Sequence, residues 1–229
     1  MAELISGLRP QAVRANLERL HEELTAARER SVAAGVRPPG SEVEVLAATK
    51  YIPLEELPVL AEAGIRLVGE NRAQDLQVKV AACGELFEWD FIGQLQSRRV
   101  RLIVPHVRLI HSVASESALR ELARHQALAR PVLRILIEVN LAQEPGKAGV
   151  APAQLDEFIS RSPLPVAGLM TMPPLTADPS RSRRWFEALR ELARERGLEH
   201  LSMGTSQDYA VAVEEGATIV RIGTKLYCG

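Results

Sequence analysis

A lysine closes the first apolar run of the chain. Leu46-Ala47-Ala48-Thr49-Lys50 ends the stretch that begins at Val43, and Tyr51-Ile52-Pro53 follows at once. Where a buried strand stops pairing and Pro53 opens a new element, the ammonium is left at the rim of a sheet rather than in bulk water. A lysine that forms a Schiff base needs such a place. A lysine that merely snorkels from a strand end to solvent would occupy the same one.

The opposite end of the chain carries the chemistry of anion binding. Ser202-Met203-Gly204-Thr205-Ser206 leads into a helical stretch with Ser206 as its expected N-cap, and the free N–H groups of a helix start favour an anion. Gly223-Thr224 adds a glycine whose backbone can approach a ligand closely, and a second hydroxyl. Either loop alone reads as an ordinary turn that needs glycine for geometry and serine for capping. Both together, after the last two strands, point to phosphate. Arg221 precedes Gly223 by two residues, so alternation sends both to one side while Val220 and Ile222 face outward. A buried guanidinium needs an acceptor, either a carboxylate such as Glu138 or a ligand nitrogen. A lysine, an anion cup and an arginine around one mouth suit an aldehyde that carries a phosphate. Pyridoxal 5′-phosphate has both groups on one ring.

The elements that must hold these residues are legible in the periodicity. From Leu4 to about Val32, Val13, Leu17, Leu20 and Leu24 recur at helical spacing. Pro38-Pro39, within Gly35 to Gly40, ends that leading helix (1–35). Thereafter short β-rich runs alternate with helical stretches. The runs are Val43–Thr49, Ile65–Gly69, Trp89–Ile92, Arg108–Val113, Val132–Val139, Val166–Met170, His200–Met203 and Thr218–Ile222. The helical stretches are Pro53–Ala63, Ala73–Ala82, Glu116–Ala129, Pro152–Ser160, Ser180–Arg196 and Ser206–Glu215, with Ser97–Ile103 short and basic. Gly64, Gly197 and Gly216 stand just past helices, as left-handed caps do. Eight such units close a barrel, and the glycine-rich turn of an open dinucleotide-binding sheet is missing after the first strand. The expectation is a (β/α)8 TIM barrel over 43–229 with an additional N-terminal helix, forming one domain over 1–229.

Composition removes several classes of function. A chain of 229 residues, 46% hydrophobic, can bury a full core. With 28 basic and 29 acidic residues the net charge is −1, so no single-sign field is built in to hold nucleic acid or an anionic membrane. No apolar run approaches the roughly 20 residues of a membrane span, and Glu3, Arg9 and Arg14 interrupt any signal-peptide core. A cytoplasmic protein is expected. Cys83 and Cys228 fit neither a disulfide framework nor a metal spacing, and both are read as reduced.

In order along the chain, AATKYIP, VGENRAQ (Val68–Gln74), FIGQLQ (Phe91–Gln96), HSV (His111–Val113), GLMTM (Gly168–Met172), SMGTSQDY (Ser202–Tyr209) and RIGT (Arg221–Thr224) resemble the pyridoxal phosphate homeostasis proteins. These are single-domain relatives of the alanine racemase barrel. The resemblance implies that Lys50 carries the cofactor as an internal aldimine, that Ser206, Gly223 and Thr224 hold its phosphate, that Arg221 faces the pyridine nitrogen and that Asn71 lies beside the ring. Lys147, in Gly146-Lys147-Ala148-Gly149, resembles a family lysine at the mouth linked to cofactor handling, and also reads as a solvated loop charge. The chain departs from the family pattern at Asp90, where histidine is usual, at Ser97-Arg98-Arg99, and at Thr205.

An arginine stays protonated near neutrality, so a pyridine nitrogen facing it stays unprotonated and the ring is a weaker electron sink. Transamination is disfavoured by that pairing. The expected function is therefore storage, buffering and delivery of pyridoxal phosphate to apoenzymes that depend on it, by a monomer or weak dimer without strong catalysis. One alternative is a small racemase-like enzyme, although alanine racemase takes its second base, a tyrosine, from a further domain, and neither Tyr51, Tyr209 nor Tyr227 is assignable to that role. Another is a Schiff-base lyase acting on a sugar phosphate through Lys50.

Overall fold

The computed structural model describes residues 4–144 and 146–228, so the expected outer bounds at 1 and 229 lie outside the described residues. Eight parallel strands close in sequence order: β1 (Glu44–Ala48), β2 (Leu67–Glu70), β3 (Glu88–Phe91), β4 (Leu109–Val113), β5 (Arg134–Glu138), β6 (Val166–Met170), β7 (His200–Thr205) and β8 (Ile219–Ile222). β1 pairs with β2 through Ala47 and Val68 and with β8 through Leu46 and Arg221, which leaves no edge. Helices α1 (Pro10–Ala33), α2 (Leu57–Glu62), α3 (Ala73–Cys83), α4 (Val100–Ile103), α5 (Glu116–Arg124), α6 (Leu155–Ser160), α7 (Arg183–Glu195), α8 (Tyr209–Glu214) and α9 (Thr224–Tyr227) complete the (β/α)8 barrel and its leading helix.

Strand alternation sorts the apolar side chains into two layers. Leu46, Leu109, Leu136, Met170 and Ile219 fill the barrel interior, while Val68, Ile110, Ile135, Ile137, Val220 and Ile222 join the helices' Leu57, Leu60, Leu76, Leu122, Phe186 and Leu189 in the surrounding core. Gly64, Gly197 and Gly216 take φ of 101°, 63° and 97°, the left-handed caps expected of them.

The boundaries differ from expectation where proline or a local hydrogen bond intervenes. α1 starts at Pro10 rather than Leu4, since proline lacks the N–H that an earlier turn would use and Arg9 stays extended. The freed segment runs to the barrel, where Ile5 N–H donates to the Tyr51 carbonyl at 2.8 Å. The stretches that open near Pro53, Pro152 and Pro179 begin as 3₁₀ turns before becoming helical. The eighth stretch starts at Tyr209, not Ser206, because the Asp208 carboxylate takes the Thr205 N–H at 2.8 Å and holds the intervening residues in a loop. Ser206 is therefore not the helix cap. The leading helix lies on the barrel, burying Val13, Leu20, Leu24 and Ala27 against α2, α8 and α9. Asn16 Nδ2 donates to the Leu226 carbonyl at 3.0 Å and Ser31 Oγ to that of Glu214 at 2.8 Å, which fixes its register.

Candidate functional site

The C-terminal ends of the strands surround a cavity of about 540 Å³, and Lys50, Asn71, Ser206, Arg221, Gly223 and Thr224 all line it. Lys147 does not. Its ammonium is 2.6 Å from Glu144 Oε2 on the β5–α6 loop, whose Gly146 and Ala148 reach the rim.

Lys50 stands two residues past the end of β1, with Nζ 4.5 Å from the Tyr51 ring centroid. Its backbone is held by groups that sequence reasoning did not single out. Lys79 Nζ donates to the Thr49 carbonyl at 2.8 Å and pairs with Glu70, whose Oε1 is 2.7 Å from Thr49 Oγ1 and whose Oε2 accepts from Asn71 N–H at 3.2 Å. Glu70 and Thr49 are wholly buried, so the network anchors both the lysine turn and the asparagine beside the cavity. The available signal was Lys79 itself, a charge on the buried stripe Leu76, Lys79, Cys83 of α3. Across the β2–β3 loops, a Cβ on Gly93 would sit 1.9 Å from the Asn71 carbonyl oxygen, so only glycine fits there.

The loops expected to hold an anion are built differently from a capped helix. Gly204 takes φ of 91° at a register shift between β7 and β8, which turns Thr205 and Ser206 toward the last loop. Ser206 Oγ accepts the Gly223 N–H at 3.1 Å and binds the two loops together. Among the described residues, the N–H groups of Ser206, Gln207 and Thr224 meet no protein acceptor. With the Thr224 hydroxyl they offer several donors to one anion. A Cβ on Gly223 would meet only Ala48 Cβ, at 3.9 Å, so glycine here keeps the wall open to a ligand rather than relieving a clash.

Arg221 is buried and held by Ser202 O at 2.8 Å, Ser202 Oγ, Thr171 O at 3.1 Å and Met172 Sδ at 2.8 Å. Glu138, the alternative acceptor, makes none of these bonds. Four guanidinium N–H groups are thereby used, and the fifth, on Nε, has no acceptor among the described residues. Burial lowers the arginine to about 10, with Glu138 and Asp208 opposing the fall, so it still donates near neutrality. Glu138 lines the cavity with 9% exposure, and its carboxylate has no hydrogen-bond partner among the described residues. Burial pushes its carboxyl above the ordinary value, and Arg221 and Lys147 only partly offset this. The Asn71 Oδ1 and the Tyr227 hydroxyl are also buried, without partners among the described residues. Burial, reinforced by Glu70, raises the Tyr227 phenol far above its ordinary range.

The clefts at the opposite end of the barrel, about 300 and 320 Å³, share Glu44 and Arg108 and contain none of the expected residues. No described helix is long and apolar enough to cross a membrane.

The family model of the alanine racemase N-terminal domain matches residues 8–229. A pyridoxal phosphate homeostasis protein of Aquifex aeolicus is 41% identical over 195 residues, covering 80% of this chain and 86% of the relative. One of Vibrio cholerae is 33% identical over 231 residues, covering 95% and 96%. PipY of Synechococcus elongatus, whose structure was solved with PLP bound, is 32% identical at a TM-score of 0.72, covering 88% of this chain and 99% of that one. Alanine racemase of Corynebacterium glutamicum, 16% identical at a TM-score of 0.63 over 99% of this chain and 63% of that one, shares the fold.

Proposed function

The chain belongs to the pyridoxal phosphate homeostasis proteins, built on the alanine racemase N-terminal domain, and on that premise we propose that it holds pyridoxal 5′-phosphate at the barrel mouth, covalently through Lys50. The supporting observation is convergence: an amine, an anion cup and an uncommitted guanidinium N–H line one cavity. The cavity fits the cofactor. The partnerless Asn71 Oδ1 calls for a polar ligand, the unfilled side of Gly223 admits one, and the donors at Ser206, Gln207 and Thr224 suit a dianionic phosphate. When bound, pyridoxal phosphate supplies an aldehyde carbon that condenses with a primary amine and a ring that withdraws electrons.

The residues of the chain then take separate tasks. Lys50 offers the nucleophilic amine, on a turn that Lys79 and Glu70 keep in place. Ser206, Gly223 and Thr224 would hold the phosphate. Arg221, with its Nε–H uncommitted, would hold the ring nitrogen, which could then only accept and would stay unprotonated. The electron demand of the ring is thereby kept low, which suits storage and delivery to dependent apoenzymes in the cytoplasm rather than turnover of amino acids. Tyr227 keeps its proton at neutral pH and is no general base.

Absorbance and chiral analysis test the assignment together. The purified or reconstituted protein is expected to be yellow, Lys50→Ala to lose the colour, and prolonged incubation with a single amino-acid enantiomer to leave it unchanged. A protein that stays colourless on reconstitution, or robust racemisation abolished by Lys50→Ala, contradicts it.

A further inference from the structure

A buried polar chain crosses the hydrophobic interior of the barrel. From the cavity downward, Arg221 Nη1 reaches Ser202 Oγ, Ser202 Oγ lies 2.8 Å from His111 Nδ1, and His111 Nε2 lies 3.1 Å from Asp90 Oδ2. Arg108 then grips Asp90 through Nε at 3.0 Å and Nη2 at 3.2 Å, and Glu44 at 2.9 Å through Nη1, at the opposite mouth. Ser202, His111 and Asp90 are each 0% exposed among Leu46, Leu109, Leu136, Met170 and Ile219. Burying three polar side chains in that layer is unfavourable unless each is satisfied, and here each is.

The direction of every bond in the chain follows from its ends. Asp90, with both oxygens facing the Arg108 guanidinium, is a carboxylate that can only accept, so His111 Nε2 carries the proton. Nδ1 then has a lone pair and must receive the Ser202 hydroxyl hydrogen. Ser202 Oγ, its hydrogen committed, presents lone pairs to the Arg221 N–H. Burial and the charges of Arg221 and Arg108 hold the imidazole neutral against the pull of Asp90. The chain does not conduct protons, because it ends on Arg108, a permanent cation held by two carboxylates.

We propose that Asp90 and His111 are positioning residues for Arg221: they orient the Ser202 hydroxyl so that it accepts from Nη1 and leaves the Nε–H aimed at the ligand's ring nitrogen. This rests on the functional assignment above and deepens it. A core-filling role would need only matching volume. A positioning role needs one tautomer and one hydroxyl direction.

Two measurements decide it. In the protein without cofactor, long-range ¹H–¹⁵N correlation of His111 is expected to show a protonated Nε2 and a bare Nδ1, and Asp90→Asn to weaken that preference. In the loaded protein, Ser202→Ala and His111→Leu are expected to bind pyridoxal phosphate about tenfold more weakly, of the order of one charged hydrogen bond. Their bound chromophore should gain a pH-dependent spectrum between pH 5 and 9, as a loosened Arg221 lets the ring nitrogen take a proton. Wild type, and Leu189→Ala as a core-destabilised control on α7, should keep a pH-independent spectrum. A proton on Nδ1, or wild-type affinity with a flat spectrum in Ser202→Ala, overturns the positioning role while cofactor binding stands. A wild type that takes up no pyridoxal phosphate refutes the parent assignment and this role with it, whatever the tautomer.

Discussion

At the scale of single residues, the site is defined by which polar atoms are already engaged. Arg221 spends four of its N–H groups on the barrel and keeps one, and Ser206 spends its hydroxyl on Gly223 so that the loops meet. Glu138 is the opposite case, a buried carboxylate with no partner among the described residues. Its raised pKa means that the unfolded chain releases the proton first, so its contribution to stability is present below the ordinary carboxylate value and is lost as pH rises through the folded one. Glu138→Gln should therefore raise the melting temperature of the cofactor-free protein at pH 8 by a few degrees and much less at pH 5, about 1 kcal/mol corresponding to roughly 2–4 °C at this size. Equal melting curves for both proteins at pH 8 would show that the carboxyl is adequately solvated. Lys50, Arg221 and Gly223 were legible in the sequence because each type at a strand end implies a task. Lys79 was not, and Glu70 and Ser202 stood in the motifs without a task, since those tasks appear only once separate strands and a helix meet.

At the scale of elements, the two loops proposed to hold the phosphate follow β7 and β8, where the expectation of a capped helix gave way to a loop held by Asp208. Ser206 still lines the same cavity, from the loop rather than from a helix start. Loss of the inter-loop bond should act on the phosphate rather than on the aldehyde. Ser206→Ala is expected to weaken binding of pyridoxal phosphate about tenfold, the value of one hydrogen bond to a charged group, while leaving the weaker binding of pyridoxal, which lacks the phosphate, nearly unchanged. A proportional loss for both ligands in titration calorimetry would place Ser206 elsewhere in the site. Asp90, legible only as a departure from the family's usual histidine, finds its physical reason at this scale, as the carboxylate that joins β3 to β4 through His111 and Arg108.

At the scale of the molecule, alternation of apolar runs and helical stretches was enough to read eight strands closing on themselves, because each unit must bury one face on the next. Helix starts were read less well. Periodicity marks the buried stripe, while prolines and local side-chain bonds set where the first turn forms. One buried and two half-buried imidazoles weaken the fold in acid. His106, His111 and His200 are all held below the ordinary 6.5, chiefly by burial, so the unfolded chain binds protons that the folded one refuses. Their contribution is present above pH 6.5 and lost as pH falls toward the folded values, at up to about 1.4 kcal/mol per pH unit for the wholly buried His111 and less for the partly exposed His106 and His200. Denaturant midpoints of the cofactor-free protein should fall between pH 7 and 5.5, less steeply in His111→Leu. An unchanged slope in that variant would mean that the imidazole takes up its proton in the fold as readily as in the unfolded chain.

The central claim is that the Lys50 amine and the phosphate loops of β7 and β8 act on one cofactor molecule. Borohydride reduction of the loaded protein, followed by peptide mapping, tests it most directly. A single pyridoxyl adduct on Lys50, absent from Lys50→Ala, is the expected result. An adduct on Lys147 or Lys225 in its place, or no adduct in a protein that retains the bound cofactor, would contradict it.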